Sequence, residues 1–459
     1  MYPSSTPRRL VALVDASNFY VSCERVFRPD LRTTPVVVLS NNDGCIVSRS
    51  DEVKALGIPM AAPYFKLRER LEARGTVAFS SNYELYGDFH RRVIATLSTF
   101  TPDIEPYSID EAFLTLSTPT AALRDPRRLH ALACEIHARV LAWTKIPVRV
   151  SIAATKTLAK VGSAYTKALL RRGEAPAACL HGWDAGRLDA LLDATPVGDV
   201  WGVGRRHRAR LLAAGVDTAR ALRDRPDAWV RQRMHTPGLR TVYELRGTPC
   251  IPMGKGPRPR RSIGRSRSFS RPVTRFADVR AALAVHAEAA CATLRREGLA
   301  ARAVQVFVHT GHADARGPHR SAARSSALPA ATNDTATVTA AAHRLLADAW
   351  DGTRPYPYRK AGVLLLDVLP AAAAPVDLFT PARPERARLF KAVDQLNARF
   401  GASTRARPPV YVASAGPGDG AATETGHHWA MRQRALSPAY STRAADVPRA
   451  HADASISLA

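Results

Sequence analysis

The sequence lacks an apolar run long enough to cross a membrane. Its best stretch, Ala361 to Val376, is broken by Asp367 and Pro370, and a span needs about 18 apolar residues in a row. It also lacks any Cys-x-x-Cys pair. The six cysteines are never closer than 22 residues, which disfavours a zinc ribbon or a redox dithiol. Scattered thiols in a large chain read as reduced and cytoplasmic. The N-terminal stretch does not read as a secretory leader, because Asp15 and Asn18 interrupt its short apolar run. Acidic residues are scarce: 40 Asp+Glu against 66 Lys+Arg leave a formal charge of +26. Lysine is scarcer still, with nine against a large excess of arginine. A polyanion rewards such a charge through counterion release, so nucleic acid is the leading partner and a membrane is not expected. A GC-rich genome would enrich arginine too, so the placement of the charge has to decide. What is present is ordinary for a globular protein: 46% hydrophobic and 23% charged residues in 459 positions. At about 100–200 residues per domain, that is room for two to four domains.

Residues 10–14 (LVALV) form an apolar run ending at Asp15, and 35–39 (PVVVL) form a second. Between them Phe19, Cys23 and Val26 share a helical face, so the chain opens strand–helix–strand. Leu85, Phe89, Val93 and Leu97 mark a helix over 84–100, 127–143 reads as another, and Val148–Ala153 as a strand. From about 176 to 248 the texture is short helices rich in Ala, Leu and Arg. Pro249 to Pro259 reads as a linker. Helices at 276–297 and 335–350 with strands at Val304–His309 and Gly362–Leu369 then predict a compact α/β module, with Gly311 to Asn333 as a loop. After 371 the chain turns low in complexity.

Five features carry chemistry. Asp15 ends an apolar strand and precedes a helix, a position where α/β proteins place catalytic groups and where a helix cap is equally natural. Asp110 and Glu111 stand side by side in YSIDEAFL (107–114). In a regular strand they point to opposite faces, whereas a tight turn lets both project from one edge. Three carboxylates converging there repel one another unless cations sit between them, and hard oxygen ligands suit Mg²⁺ in a phosphoryl-transfer site. Lys156, Lys160 and Lys167 fall on one helix face, and Lys54 lies on another probable helix. In a chain that otherwise uses arginine, these suggest a compact charge reaching a polyphosphate, or a solvated face. Gly202 and Gly204 followed by Arg205, Arg206 and Arg208 fit a helix–hairpin–helix whose backbone N–H groups meet a DNA phosphate. Arg265 and Arg267 alternate with serine inside a stretch, Lys255 to Arg275, that holds eight basic residues and no acidic one. That pattern predicts an ordered strand along a phosphate backbone.

These residues resemble the Y-family of DNA polymerases, and within it the UmuC type. The matching segments are LVDASNFYVSCERVFRPDL (13–31), PVVVLSNNDGCIVSRSDEVKALGIPM (35–60), FSSNYELYGDF (79–89), YSIDEAFL (107–114), VSIAATKTLAK (150–160), DVWGVG (199–204) and FKAVDQLNARFG (390–401). Coverage runs from about residue 10 to 443. The resemblance implies an α+β multi-domain, right-hand polymerase. Its palm would be 1–18 and 80–175, its fingers 19–79 and its helical thumb 176–248. A linker at 249–261, an α/β little finger at 262–372 and a C-terminal extension at 373–459 would follow. It also implies error-prone translesion synthesis in the SOS response, without proofreading.

Carried over by position, Asp15, Asp110 and Glu111, with the Ala16 carbonyl, would bind two Mg²⁺ ions. Tyr20, with Phe19 beside it, would be the steric gate against a ribose 2′-OH. Lys54, Lys167 and Ser50 would touch the incoming dNTP. Gly202, Gly204, Arg205, Lys156, Lys160, Arg265 and Arg267 would meet primer–template DNA. Small finger residues Cys45, Val47 and Ala61 would leave an open roof over the nascent pair. Leu378 and Phe379 would anchor a sliding-clamp peptide in which Pro375 stands where Gln is usual. The resemblance further implies a UmuD′-type dimer and a RecA filament as partners, in a bacterial cytoplasm near the nucleoid. LSPAYSTR (436–443) is shared with UmuC-like chains, whereas Ala444 and Ala445 follow where a Trp is usual, and 312–326 matches nothing in the family. Two other classes compete: a catalytically silent DNA-binding scaffold and a two-metal nuclease. The retained carboxylates speak against the first, and Tyr20 with Lys167 against the second.

Overall fold

The computed structural model describes residues 9–116, 125–174, 176–254, 259–311, 319–375, 384–398, 433–438 and 440. The opening is the expected one, with strand β1 (Leu10–Ala16) and helix α1 (Phe19–Phe27). A small lobe follows: β2 (Val36–Leu39), β3 (Ile46–Arg49), α2 (Asp51–Ala55), α3 (Tyr64–Glu72) and β4 (Val77–Ser80), with sheet order β3-β2-β4. Its core of Val37, Leu39, Ile46, Val53, Ile58 and Leu71 is small.

The chain then returns to β1 through α4 (Tyr83–Leu97), β5 (Ile104–Pro106), β6 (Glu111–Leu116), α5 (Pro126–Thr144), β7 (Val148–Ala153), α6 (Lys156–Arg171) and β8 (Ala177–Cys179). These build a five-stranded sheet, β5-β6-β1-β7-β8, with β1 at its centre. Side chains alternate across a sheet, and this one is covered on both faces. Ala12, Val14, Leu114, Val148 and Val150 join α4 and α5 in one core. Val11, Leu13 and Phe113 face the other way, toward α6. That second core continues without a break into α7 (Ala185–Asp193), α8 (Arg205–Ala213), α9 (Ala219–Arg223) and α10 (Asp227–Leu245). The buried Glu244 of α10 fastens the two parts together. Its carboxylate accepts from the Thr157, Cys250 and Ile251 backbone N–H groups.

The next module comprises β9 (Ser262–Val273), α11 (Phe276–Arg296), β10 (Leu299–His309), β11 (Ser321–Thr332), α12 (Thr335–Ala349) and β12 (Tyr358–Pro370). Its antiparallel sheet runs β11-β10-β12-β9, with α11 and α12 on one face. The expected loop over 311–333 is corrected here. Residues 321–332 (SAARSSALPAAT) form an edge strand along the whole of β10. Apart from Thr332 the segment lacks the β-branched residues that mark a strand in sequence, and its neighbour supplies the pairing instead. Helix α13 (Pro384–Leu396) packs its Phe390 against Arg295 of α11. The clamp-type anchors Leu378 and Phe379 lie outside the described residues.

Candidate active site

Alternation along the strands assembles the site. Asp15 shares its side of β1 with Val11 and Leu13, and so faces α6. In register, Asp15 pairs with Glu111 of β6 and with Arg149 of β7. All three therefore project onto the α6-covered face of the sheet. Asp110 stands just outside β6, in the hairpin that joins it to β5, where the Tyr107 and Ser108 N–H groups donate to the Glu111 carbonyl. That is the tight turn the sequence required. The Ala16 N–H donates to the Asp110 carbonyl at 2.8 Å, which pins the hairpin to the end of β1.

Helix α6 lies close on this face because Gly162 has no side chain. A Cβ there would come within 2.0 Å of Ser151 Oγ. The close approach delivers two partners. Ser163 Oγ donates to Asp15 Oδ2 at 3.0 Å, and Lys160 Nζ to Glu111 Oε2 at 2.5 Å. Arg149 Nη2 donates to the same Asp15 oxygen at 2.6 Å, and Ser108 Oγ to Asp110 Oδ1 at 2.6 Å. Burial pushes the Glu111 carboxyl up, Lys160 pulls it down, and the charges of Asp15 and Asp110 push it up again. Each carboxylate holds its own partner, and among the described residues no three acidic, His or Cys side chains already form a metal cage. The donor set nonetheless fits a hard cation: carboxylate oxygens of three residues at one edge, partly open to solvent, with the charges of Asp15 and Asp110 pushing the Glu111 carboxyl up.

Tyr20, on the first turn of α1, is half-buried. Its ring stacks on Tyr86 at 4.4 Å, and burial together with the charges of Tyr83 and Asp110 holds its hydroxyl above the usual phenol range. Phe19 beside it is in the core, 5.9 Å away. Lys54 Nζ donates to Asn18 Oδ1 and, at 2.7 Å, to Asp51 Oδ1. Lys167 is exposed on α6, seven residues beyond Lys160 on the same face. The hairpin before α8 carries Gly202 at φ 95, where a side chain would be strained, and Gly204 caps the helix. Gly204 to His207 line a shallow surface concavity. Trp201 Nε1 donates to Tyr107 Oη at 3.0 Å, which ties this hairpin to the one carrying Asp110.

Three placements differ from expectation. Ser50 is 0% exposed, and its Oγ accepts the Val36 N–H, so it has no face for a phosphate. Lys156 is 2% exposed and donates to Glu105 and the Pro252 carbonyl; it fastens the linker rather than facing DNA. Lys160 is spent on Glu111. Arg265 and Arg267 do lie on an ordered strand and are exposed at its edge. They stand opposite Val363 and Ala361, on the helix-covered side, where Arg265 Nη2 donates to Thr293 Oγ1 at 2.6 Å. Arg149, Ser163 and Asn18 escaped sequence reasoning. Asn18 alone left a signal, as a polar residue in the short stretch between Asp15 and Tyr20, and it adopts φ 49.

Comparison with known proteins closes the identification. The impB/mucB/samB family model matches residues 14–164, its C-terminal domain matches 260–378, and a domain of unknown function matches 387–450. Protein UmuC of Salmonella typhimurium is 39% identical over 96% of this chain and 100% of its own length. MucB of Escherichia coli is 34% identical over 96% and 99%. A DNA polymerase IV, from Alkalilimnicola ehrlichii, is 31% identical over 66% of this chain and 81% of its own. A Y-family DNA polymerase chimera built from Dbh and Dpo4 superposes with a TM-score of 0.61, at 18% identity, over 78% of this chain and 99% of that one. The fold is thus that of a right-hand DNA polymerase. The chain belongs to the impB/mucB/samB family and is a UmuC-like Y-family polymerase of the translesion class. DNA and deoxynucleotides are its substrates, and the family implies a divalent metal. No described helix is long and apolar enough to cross a membrane.

Proposed function

We propose that this chain extends a primer across damaged template bases by nucleotidyl transfer at Asp15, Asp110 and Glu111. The carrying observation is their convergence: Asp15 and Glu111 are register partners on one covered face, and Asp110 is pinned to the end of β1 beside them. These three carboxylates and the Ala16 carbonyl would hold two Mg²⁺ ions. When bound, such ions lower the pKa of the primer 3′-hydroxyl and neutralise the triphosphate and leaving pyrophosphate. The chain's own groups do the rest. Lys160 and Arg149 hold the Glu111 and Asp15 carboxylates in place in the absence of a ligand. Lys54 and Lys167 hold the triphosphate, and Tyr20 closes the space a ribose 2′-OH would need, with Phe19 fixing the helix behind it.

The N–H groups at Gly202 and Gly204 and the Arg205 guanidinium hold a DNA phosphate, with Arg265 and Arg267 on the edge of the second sheet. In this reading 1–18 and 80–175 are palm, 19–79 fingers, 176–248 thumb and 262–372 little finger. The small side chains of Cys45, Val47 and Ala61 would leave an open roof over the nascent pair. A UmuD′-type dimer, a RecA filament and, through Leu378 and Phe379, a sliding clamp are the proposed partners, in a bacterial cytoplasm at the nucleoid.

The test is Mg²⁺-dependent primer extension on undamaged and abasic templates, with and without a UmuD′-type partner at low salt. Wild type extends both templates, and Asp110→Ala extends neither while still binding primer–template. Extension by the Asp110→Ala chain would overturn the assignment. Failure of the wild-type chain under every condition, with DNA binding intact, would return the scaffold reading.

A further inference from the structure

The C-terminal region returns to the site. Strand β4 is an edge of its sheet, and Leu436 bridges Ser80 there in parallel. The Ser80 N–H donates to the Ala435 carbonyl at 2.8 Å, and the Ala435 N–H to Ser80 Oγ at 3.1 Å. The Arg434 N–H donates to Asp43 Oδ2 at 2.8 Å, and Gln433 Nε2 to the Ser81 carbonyl at 3.0 Å. This is strand addition by the chain to itself. One residue further, Ser437 is 2% exposed. Its Oγ accepts from Asn82 Nδ2 at 3.0 Å and donates to Glu24 Oε1 at 3.3 Å. The same Glu24 oxygen accepts from Tyr86 Oη at 2.7 Å. Tyr86 is the ring on which Tyr20 stacks, 4.4 Å away and 14° from parallel. Tyr440 closes the contact by stacking on Phe27, at 4.3 Å and 7°, at the other end of α1.

Glu24 is fully buried, and a carboxylate there needs donors to stay in place. One of them comes from Ser437. Moving that donor moves the carboxylate, the Tyr86 hydroxyl bound to it, and the ring that backs Tyr20. We propose that residues 433–438 with Tyr440 form a strap that positions the sugar-gate tyrosine through Ser437, Glu24 and Tyr86. The proposal rests on the reading of Tyr20 as the gate. It gives the 387–450 region a role in nucleotide selection. Ser437 and Tyr440 are positioning residues: they act on Tyr20 through others, and the strap tightens selection without touching the triphosphate.

The experiment measures kcat/KM for a dNTP and the matching rNTP with the full-length chain, comparing wild type with Tyr20→Ala, Ser437→Ala, Tyr440→Ala and Tyr440→Phe. Tyr20→Ala is expected to raise the rNTP-to-dNTP ratio most. Ser437→Ala and Tyr440→Ala are expected to raise it about three- to tenfold, the change that losing one hydrogen bond or stacked pair commands. Tyr440→Phe, which keeps the stack, should leave it near wild type. A raised ratio in Tyr20→Ala with no change in either strap variant overturns the strap and leaves the gate standing. An unchanged ratio in Tyr20→Ala removes the gate reading, and the strap with it. A parallel loss for both nucleotides, at constant ratio, shows a merely structural segment and also overturns the proposal. If Ser437→Ala does not fold, the Tyr440→Ala and Tyr440→Phe pair decides, since that ring is only partly buried.

Discussion

The five-stranded sheet is mostly antiparallel and the four-stranded one wholly so, and both carry charge in their strands, yet the charge does different work in each. The first sheet is covered on both faces. A charge on its inner strands loses water, so every one must find a partner. Asp15, Glu111 and Arg149 are held by Ser163, Lys160 and one another. The second sheet has helices on one face only: Val304, Val306 and Val308 point into them, while Gln305, Phe307 and His309 point away. Its arginines sit on an exposed edge strand. Charge in a doubly covered strand has to be held by a partner. Charge on a singly covered edge strand can stay partly in water.

The largest effect that would break this contrast is at Asp15. Asp15→Asn keeps the Ser163 contact but removes the charge, and single-turnover extension should fall by about 10³-fold. A small loss would mean that β1 carries structure rather than chemistry. The counterpart in the second sheet is His286 of α11, buried with Arg267 near. Burial first, then the Arg267 charge, lower its pKa from 6.5 to about 4. Between those values the unfolded chain binds a proton that the folded module does not. The stability is present above pH 6.5 and lost as pH falls through about 4, by up to about 3 kcal/mol. Thermal melts between pH 7 and 4 should show the wild type losing stability on acidification relative to His286→Phe, which has no imidazole to protonate there. Parallel curves would show that this core tolerates the charge. A third effect, of about 1–3 kcal/mol, follows from Gly162→Ala, which forces α6 off the first sheet. It should lower both the melting temperature and extension, because α6 carries Ser163 and Lys160 to the carboxylates. A loss of stability with full activity would separate the two.

Much of this was legible in the sequence because period and identity agreed. The run at 10–14, the helix face of Phe19 and Cys23, and the strand Val148–Ala153 stand where their spacing put them. Asp110 and Glu111 demanded a turn, and the hairpin supplies it. What escaped depends on register and tertiary contact. Nothing near Arg149 in sequence says that it faces Asp15; only the antiparallel pairing does. Lys156 and Lys160 share a helical face, but the sheet beneath turns them to Glu105 and Glu111. Ser50 looked like a phosphate contact, yet the small lobe spends its hydroxyl on Val36. Residues 321–332 have no strand signature, since an edge strand of alanine and serine is made by its neighbour.

The smallest effect sharpens the surface half of the contrast. The exposed arginines of α8 follow a hairpin whose glycines leave its backbone open, and no ion pair is found at Arg205 or Arg206 among the described residues. Each such cation on a DNA phosphate releases roughly one counterion, so it appears in the slope of log K against log salt. Arg205→Ala should reduce that slope by about 1 and weaken primer–template binding uniformly across sequences. Lys156→Ala is the control. Its ammonium is buried against Glu105, so the slope should not change, whereas melting should fall because the partly buried Glu105 carboxylate loses its cationic partner. If Lys156→Ala instead lowered the salt slope and Arg205→Ala did not, the positive charge that meets DNA would lie in the first sheet's helix, and the division between held charge and offered charge would be reversed.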